Sequence, residues 1–227
     1  AAEALGWLDQ NAANRPAFLF LNLLEPHYWI ASPPFDHWAR EVPGWRQLAQ
    51  RSLFSHVIPT HLSKPEADFA QAGYDGQVAA MDAALGQFFD ALKQRGRYDN
   101  ALIVVVADHG ELLGEHDIVG HGGRMMYEGL LHVPLVVKFP GTNRAKGVID
   151  DNVQQVDVMP TVLDALELPI PAAVQGQPLQ RVLHTAVSEE HVNPEFVEHF
   201  GDVYNRQYRV VYDGRLKLIR TSRGERH

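Results

Sequence analysis

The feature that most constrains the fold is a short apolar run that ends abruptly on titratable residues. Leu102–Ala107 contains only Leu, Ile, Val and Ala, and Asp108 and His109 follow it directly. A continuous apolar run rich in β-branched residues is typical of a strand that is covered on both faces. Because ligands of open α/β sheets bind at the carboxyl ends of the strands, the run predicts a polar site at Asp108 and His109.

Helical and strand-like segments alternate along most of the chain. Apolar runs of strand length recur at Ala17–Asn22 and Val133–Phe139. Amphipathic helices are predicted over Glu3–Asn11, over Asp75–Arg95 and between Asp157 and Leu166. The longest of these, Asp75–Arg95, would be capped by Asp75 at its N-terminus and by Gly96 at its C-terminus. This order predicts an α/β fold with a mostly parallel sheet flanked by helices.

The end of the chain has a different pattern. Tyr208–Tyr212 and Arg215–Arg220 flank Asp213-Gly214, a dipeptide typical of two-residue hairpin turns. We therefore predict a small antiparallel sheet at the C-terminus. The expected division is a core over residues 1–184 and a small subdomain over residues 185–227.

Composition excludes several classes of function. The chain has 20 Lys and Arg against 28 Asp and Glu, a formal net charge of -8, and no basic run, so we expect no nucleic-acid partner. No apolar run approaches the ~20 residues of a membrane span. The absence of cysteine excludes a disulfide scaffold, a thiolate metal site and a cysteine nucleophile within these 227 residues. It also leans weakly toward a reducing compartment such as the cytoplasm.

The chain opens on Ala1 rather than on a methionine, and we expect it to be a segment of a longer protein. Its localisation therefore stays open. A segment that lacks some strands of its sheet would expose apolar edges, which favour association. We expect that these edges are covered either by a second copy of the chain, in a homo-oligomer, or by other parts of the parent protein.

Asn100–Gly122, with its core Asp108-His-Gly-Glu and its Gly-His-Gly end, resembles the C-terminal metal motif of sulfatases in the alkaline phosphatase superfamily. Phosphonate monoester hydrolases and phosphodiesterases share this motif. The resemblance implies an alkaline-phosphatase-like fold and hydrolysis of a small anionic ester. Further segments follow the family's order, namely Phe18–His27, Tyr74–Asp82, Tyr127–Leu135, Val156–Leu163 and Gln175–Leu179.

The resemblance implies roles for four side chains. Asp108 and His109 match two ligands of one divalent cation, with calcium preferred and manganese or zinc as alternatives. His121 matches a basic residue, Lys or His, that faces the sulfate or phosphate and the nucleophile. His27 matches a histidine that contacts the ester and can protonate the leaving group. These types suit an anionic ester, which needs positive charge beside its oxygens and a proton for its leaving alkoxide.

We expect these four side chains to lie around one cleft at the strand ends. Two other charged residues, Glu111 and Arg124, could line the same pocket. Each is more typical of a solvated loop charge, and neither belongs to the predicted catalytic set.

The sequence also departs from the family. The N-terminal half of these enzymes carries an Asp-Asp metal pair at a strand end and a Cys/Ser-x-Pro-x-Arg motif that becomes formylglycine. Nothing before Phe18 resembles such an Asp-Asp strand end, and these 227 residues contain no Cys/Ser-x-Pro-x-Arg. We therefore expect the isolated segment to bind metal weakly and to hydrolyse nothing. Two alternatives stay open: a phosphonate monoester or phosphodiester hydrolase, and a non-catalytic binding or assembly module.

Overall fold

The computed structural model describes residues 2–12, 15–27, 29, 32–50, 62–121, 126–141, 147–182, 196–198, 206–213 and 216–223. The chain divides into two units, residues 1–101 with 110–122 and residues 102–109 with 123–227. The boundary predicted between residues 184 and 185 lies outside the described residues and stays a prediction. The helices are α1 (Ala2–Asn11), α2 (His37–Glu41), α3 (Trp45–Gln50), α4 (Lys64–Gln94), α5 (Glu128–Leu131), α6 (Val158–Ala165) and α7 (Leu179–Val182). The strands are β1 (Ile103–Val106), β2 (Leu112–Leu113), β3 (Val119–Gly120), β4 (Leu135–Lys138), β5 (Phe196–Glu198), β6 (Arg206–Asp213) and β7 (Leu216–Arg223).

The long helix α4 begins earlier than its apolar pattern predicts. Ser63 and Glu66 form a capping box ahead of it, in which the Ser63 backbone N–H donates to Glu66 Oε2 at 2.9 Å. This reciprocal cap satisfies amide groups that the first helical turn leaves open. Asp75 therefore lies inside the helix, and its predicted capping role is wrong. Gly96, at φ 64°, follows the C-terminal end as predicted.

The first unit packs its core around α4. Leu8 and Ala12 of the N-terminal segment are buried against Phe88 and Leu92 near the end of that helix. Helices α2 and α3 contact α4 closer to its start, where Phe69 is buried among their side chains. Burial of such side chains stabilises the unit by roughly 1.5–3 kcal/mol each.

The apolar segment Ala17–Asn22 is not a strand. It pairs with no neighbour among the residues that the structure describes, and the Phe18 and Phe20 side chains are 79% and 81% exposed. A strand needs a second strand to accept and donate its backbone hydrogen bonds. An apolar run can favour a strand, but it does not show whether a second strand is available to pair with it.

Strands β1 and β4, which belong to the second unit, form an antiparallel pair in which Val104 lies opposite Val137. The parallel direction predicted for the core strands does not hold for this pair. Apolar, β-branched composition indicates burial on two faces but carries no information about strand direction. The C-terminal sheet of β5, β6 and β7 is antiparallel, as predicted. Asp213 pairs with Leu216, so Asp213 belongs to β6 rather than to the turn.

Two of the motifs quoted above meet at the start of α6. Asp157 is buried and accepts hydrogen bonds from the backbone N–H groups of Gln154 and Gln177, both at 2.8 Å. Gly176, at φ 81°, lies so close that an added Cβ would be 2.7 Å from Asp157 Oδ1. Thr161, fully buried, accepts from the Leu179 N–H at 2.9 Å. The motifs thus form one hydrogen-bonded junction, in which the buried side-chain oxygens of Asp157 and Thr161 have partners.

Candidate active site

Helix α4 supports the loop that carries His27. The His27 backbone N–H donates to the Leu24 carbonyl at 2.8 Å and closes a turn. Trp29, 2% exposed, packs against Ala70 of α4. The Trp29 carbonyl approaches Gly73 so closely that a Cβ on Gly73 would lie 1.7 Å from the carbonyl oxygen. A glycine in the helix therefore admits the loop backbone, and the loop holds His27 beside it.

A short hairpin carries His121. Leu112 pairs with Gly120 and Leu113 with Val119 in the antiparallel ladder of β2 and β3. The Leu112 and Val119 side chains, which point to opposite faces of the ladder, are both buried, so this hairpin is anchored on both faces. Continuing the register by one position places Glu111 opposite His121, where cross-strand side chains lie within reach of each other.

The two predicted catalytic histidines lie together. The imidazole rings of His27 and His121 are 5.3 Å apart between centroids, with an interplanar angle of 64°. They belong to the same unit, although the whole of α4 separates them in sequence. Both rings are partly buried, so each keeps some contact with solvent.

Glu111 contributes a buried carboxylate that sequence reasoning missed. Its side chain is only 5% exposed, and its Oε2 lies 2.9 Å from His121 Nδ1. Its other oxygen, Oε1, is buried without a hydrogen-bond partner among the described residues. The prediction of a solvated loop charge is therefore wrong for Glu111. The register of β2 and β3 places Glu111 opposite His121, and no pattern in the sequence indicated that hairpin.

Tyr74 of α4 borders the same cluster. It packs beside Trp29. Burial raises the pKa of the Tyr74 hydroxyl, and the negative charges of Glu111 and Asp75 raise it further. The hydroxyl therefore stays protonated at neutral pH and is available as a hydrogen-bond donor.

Asp108 and His109 follow β1, as predicted. The side-chain amide of Gln155 donates to the carbonyl oxygens of Ala107 at 2.6 Å and of Asp108 at 2.8 Å. Gln155 thus holds the backbone at the strand end, a role that no pattern in the sequence indicated. The Asp108 side chain is 90% exposed, its Oδ1 accepts from the His109 N–H at 3.0 Å, and its Oδ2 lies 3.9 Å from His109 Nε2.

These two donors do not complete a metal site by themselves. Within the described parts of the chain, no group of three or more His, Asp or Glu residues could hold a metal ion. Calcium takes six to eight oxygen ligands, and zinc takes four ligands in a tetrahedron. Asp108 and His109 could supply one side of such a shell. The convergence of this pair with His27 and His121 on one cleft stays a prediction.

Two family models match the chain. The Sulfatase model matches residues 1–168, and the model for the C-terminal region of N-sulphoglucosamine sulphohydrolase matches residues 114–225. The chain belongs to the sulfatase family. The resemblance that its motifs indicate is confirmed.

Known relatives agree with this assignment. The arylsulfatase of Clostridium perfringens is 28% identical over 80% of this chain and 40% of its own length. The multifunctional alkaline phosphatase superfamily protein PehA of Trinickia caryophylli is 31% identical over 73% of this chain and 37% of its own length. The chain therefore spans well under half the length of these two relatives.

A solved structure confirms the predicted fold class. The phosphonate monoester hydrolase of Silicibacter pomeroyi superimposes with a TM-score of 0.61 and 26% identity, over 84% of this chain and 41% of that one. The chain is thus an α/β domain of the alkaline-phosphatase-like type with a small antiparallel C-terminal sheet. None of the helices in the described regions has both the length and the apolar composition needed to cross a bilayer.

Proposed function

We propose that this chain is part of a metal-dependent hydrolase of sulfuric esters in which His27 and His121 are catalytic. The observation that carries the proposal is the 5.3 Å approach of these two imidazoles, which come from a loop and a hairpin far apart in sequence. Both histidines are candidates that the sulfatase motifs single out independently. A histidine pair with only a structural role would have no reason to combine these two positions. The family membership of the chain supports the same reading.

The two histidines have different proposed tasks. When the sulfur–oxygen bond breaks, the leaving oxygen keeps the bonding electron pair, and His27 supplies the proton that neutralises it. His121 lies beside the ester's non-bridging oxygens, where a protonated imidazole offsets their negative charge. Tyr74, protonated at neutral pH, can donate a further hydrogen bond at this end of the site.

The metal and the nucleophile are also proposals. Asp108 and His109 would supply two ligands of one divalent cation, with calcium preferred and manganese or zinc as alternatives. The remaining ligands and a formylglycine nucleophile would come from outside these 227 residues. We accordingly expect the isolated segment to be inactive, and turnover of an aryl sulfate by the purified 227-residue chain would contradict this.

The first test uses the complete protein that contains this chain. His27→Ala and His121→Ala should each lower kcat for 4-nitrophenyl sulfate on the order of 10²–10⁴-fold, the usual contribution of acid–base catalysis. His132→Ala is the matched control, because His132 follows α5 in the other unit and should leave kcat unchanged. Equal activity in all three variants would refute the catalytic assignment.

A phosphonate monoester or phosphodiester hydrolase is the second candidate function. The structural likeness to the phosphonate monoester hydrolase of Silicibacter pomeroyi favours it specifically. Parallel assays with an aryl sulfate, an aryl phosphonate monoester and an aryl phosphodiester decide between the two, since the higher kcat/KM identifies the preferred ester. A protein that turns over none of the three and binds no calcium would instead support a non-catalytic binding or assembly module.

A further inference from the structure

We propose that Glu111 is a positioning residue that holds the His121 imidazole with its proton on Nδ1. The inference rests on the proposed function, because it assigns Glu111 a task in the same reaction. In this proposal Glu111 contacts His121 and does not contact the ester.

The backbone places the two side chains opposite each other. Glu111 and His121 are the pair that follows Leu112 and Gly120 in the hairpin register. The hairpin is closed by a tight turn, in which the Gly114 N–H donates to the Ile118 carbonyl at 3.0 Å. The short loop leaves little freedom for the ends to slide, so the 2.9 Å contact is set by the fold.

The burial of Glu111 argues against a purely structural role. Only 5% of the Glu111 side chain is exposed to solvent. Burying a carboxylate is costly unless both of its oxygens have hydrogen-bond partners. Only Oε2 has a hydrogen-bond partner in the described part of the chain, while Oε1 has none. The imidazole of His121 is thus the contact that the carboxylate is placed to make.

The chemistry of the contact determines the tautomer. An ionised carboxylate can only accept, so the hydrogen bond requires a proton on His121 Nδ1. Nε2 is then the nitrogen that takes the second proton, which gives the ring the positive charge proposed for it beside the ester's oxygens. Protonated, it donates to an anionic oxygen, and without its proton it can accept one. A neutral imidazole in water prefers the opposite tautomer, so the carboxylate changes which nitrogen can act.

The direct test is spectroscopic. Histidine-selective ¹⁵N labelling of the complete protein, with His121→Gln to assign the signal, reports which ring nitrogen carries the proton at a pH where the ring is neutral. We expect the Nδ1–H form in the wild-type protein. In Glu111→Gln the amide can donate as well as accept, and we expect a mixture of tautomers or the Nε2–H form.

Kinetics supply the second readout. Glu111→Gln keeps the size of the side chain. By analogy with carboxylates that orient metal-ligating histidines, we expect kcat to fall about 10-fold to 100-fold, with a much smaller change in KM. The matched control is Glu115→Gln, which removes an exposed carboxylate from the same hairpin and leaves an amide oxygen that can still accept from the Leu113 N–H, now 2.7 Å from Glu115 Oε2. The control should retain both kcat and the Nδ1–H signal. In a His121→Ala background, Glu111→Gln should have no further effect on kcat.

Each outcome decides the proposal. An Nε2–H signal for neutral His121 in the wild-type protein overturns it without any variant, even if Glu111→Gln fails to fold. A folded Glu111→Gln protein with unchanged kcat, or with lowered kcat and an unchanged tautomer, also overturns it. If the wild-type protein hydrolyses no ester, the proposed function fails, and the spectra alone decide whether Glu111 sets the tautomer.

Discussion

Gly73 is the single residue on which the position of the His27 loop depends most directly. The Trp29 carbonyl occupies the space that any side chain at this helical position would need. Trp29 in turn lies two residues from His27 and is almost fully buried. The absence of one Cβ therefore connects the packing of α4 to the proposed chemistry.

We expect Gly73→Ala to destabilise the protein by about 1–3 kcal/mol, the usual cost of overpacking, and to lower kcat by displacing His27. The control is Gly86→Ala in the same helix, where an added Cβ meets nothing within 4 Å. That change should raise stability by about 0.5–1 kcal/mol, because alanine favours a helix over glycine. Urea unfolding of both variants measures the difference, and equal destabilisation of the two would contradict the packing argument.

The C-terminal sheet is attached to α5 by a group of polar contacts. Glu128 Oε1 accepts from the Tyr212 hydroxyl at 2.9 Å and from Lys217 Nζ at 2.7 Å. Burial raises the pKa of Glu128, but the hydrogen bonds from Lys217 and Tyr212 outweigh it, so the pKa is lowered from 4.5. Burial, together with the hydrogen bond to Glu128, raises the pKa of Tyr212 well above its ordinary value. The carboxylate is therefore ionised and the phenol protonated wherever this contact is intact.

The lowered pKa of Glu128 predicts a loss of stability in acid. The stabilisation is fully present above the unfolded-state pKa of 4.5 and is lost as the pH falls through the lower folded-state value. We expect wild-type protein to exceed Glu128→Gln in stability by less than about 1 kcal/mol at pH 7, because the side chain is 59% exposed. The difference should shrink as the pH falls below 4.5 and disappear once the folded-state carboxyl is protonated. Thermal unfolding of both proteins across this range tests it, and a difference independent of pH would show that the contact is not electrostatic.

On the scale of the whole molecule, several large apolar side chains are exposed to water, which is energetically unfavourable. Phe18 and Phe20 lie outside any helix or strand, without a strand partner among the described residues, and Leu24 close by is 62% exposed. Contiguous exposed apolar residues favour association.

We expect the 227-residue chain to associate with itself in a concentration-dependent way. Replacing Phe18 and Phe20 together by serine should weaken this association, while leaving the melting temperature nearly unchanged, since both side chains are mostly exposed. A control with serine at Phe88, which is buried in the core, should lower the melting temperature instead. Multi-angle light scattering provides the mass, and a wild-type monomer at all concentrations would contradict the prediction.

The sequence by itself determined the elements whose signals are local. Helix α6, strands β1 and β4, and the β6–β7 hairpin lie where their patterns predict, because periodicity and turn chemistry act within a few residues. The motifs also single out His27 and His121 as candidates, and their rings lie 5.3 Å apart, while their catalytic role stays a prediction. Helix α4 begins before its apolar pattern predicts, at the Ser63–Glu66 capping box, which is itself a local signal in the sequence.

Only the tertiary structure decided the features that depend on distant partners. It left Ala17–Asn22 without a ladder in the described residues, paired β1 and β4 antiparallel, and buried Glu111 against His121. In each case the structure depends on a partner outside the segment's own stretch of sequence, so the local pattern cannot predict it. A backbone group needs a partner strand, and a carboxylate becomes buried only when the fold brings a cationic or hydrogen-bonding group to it.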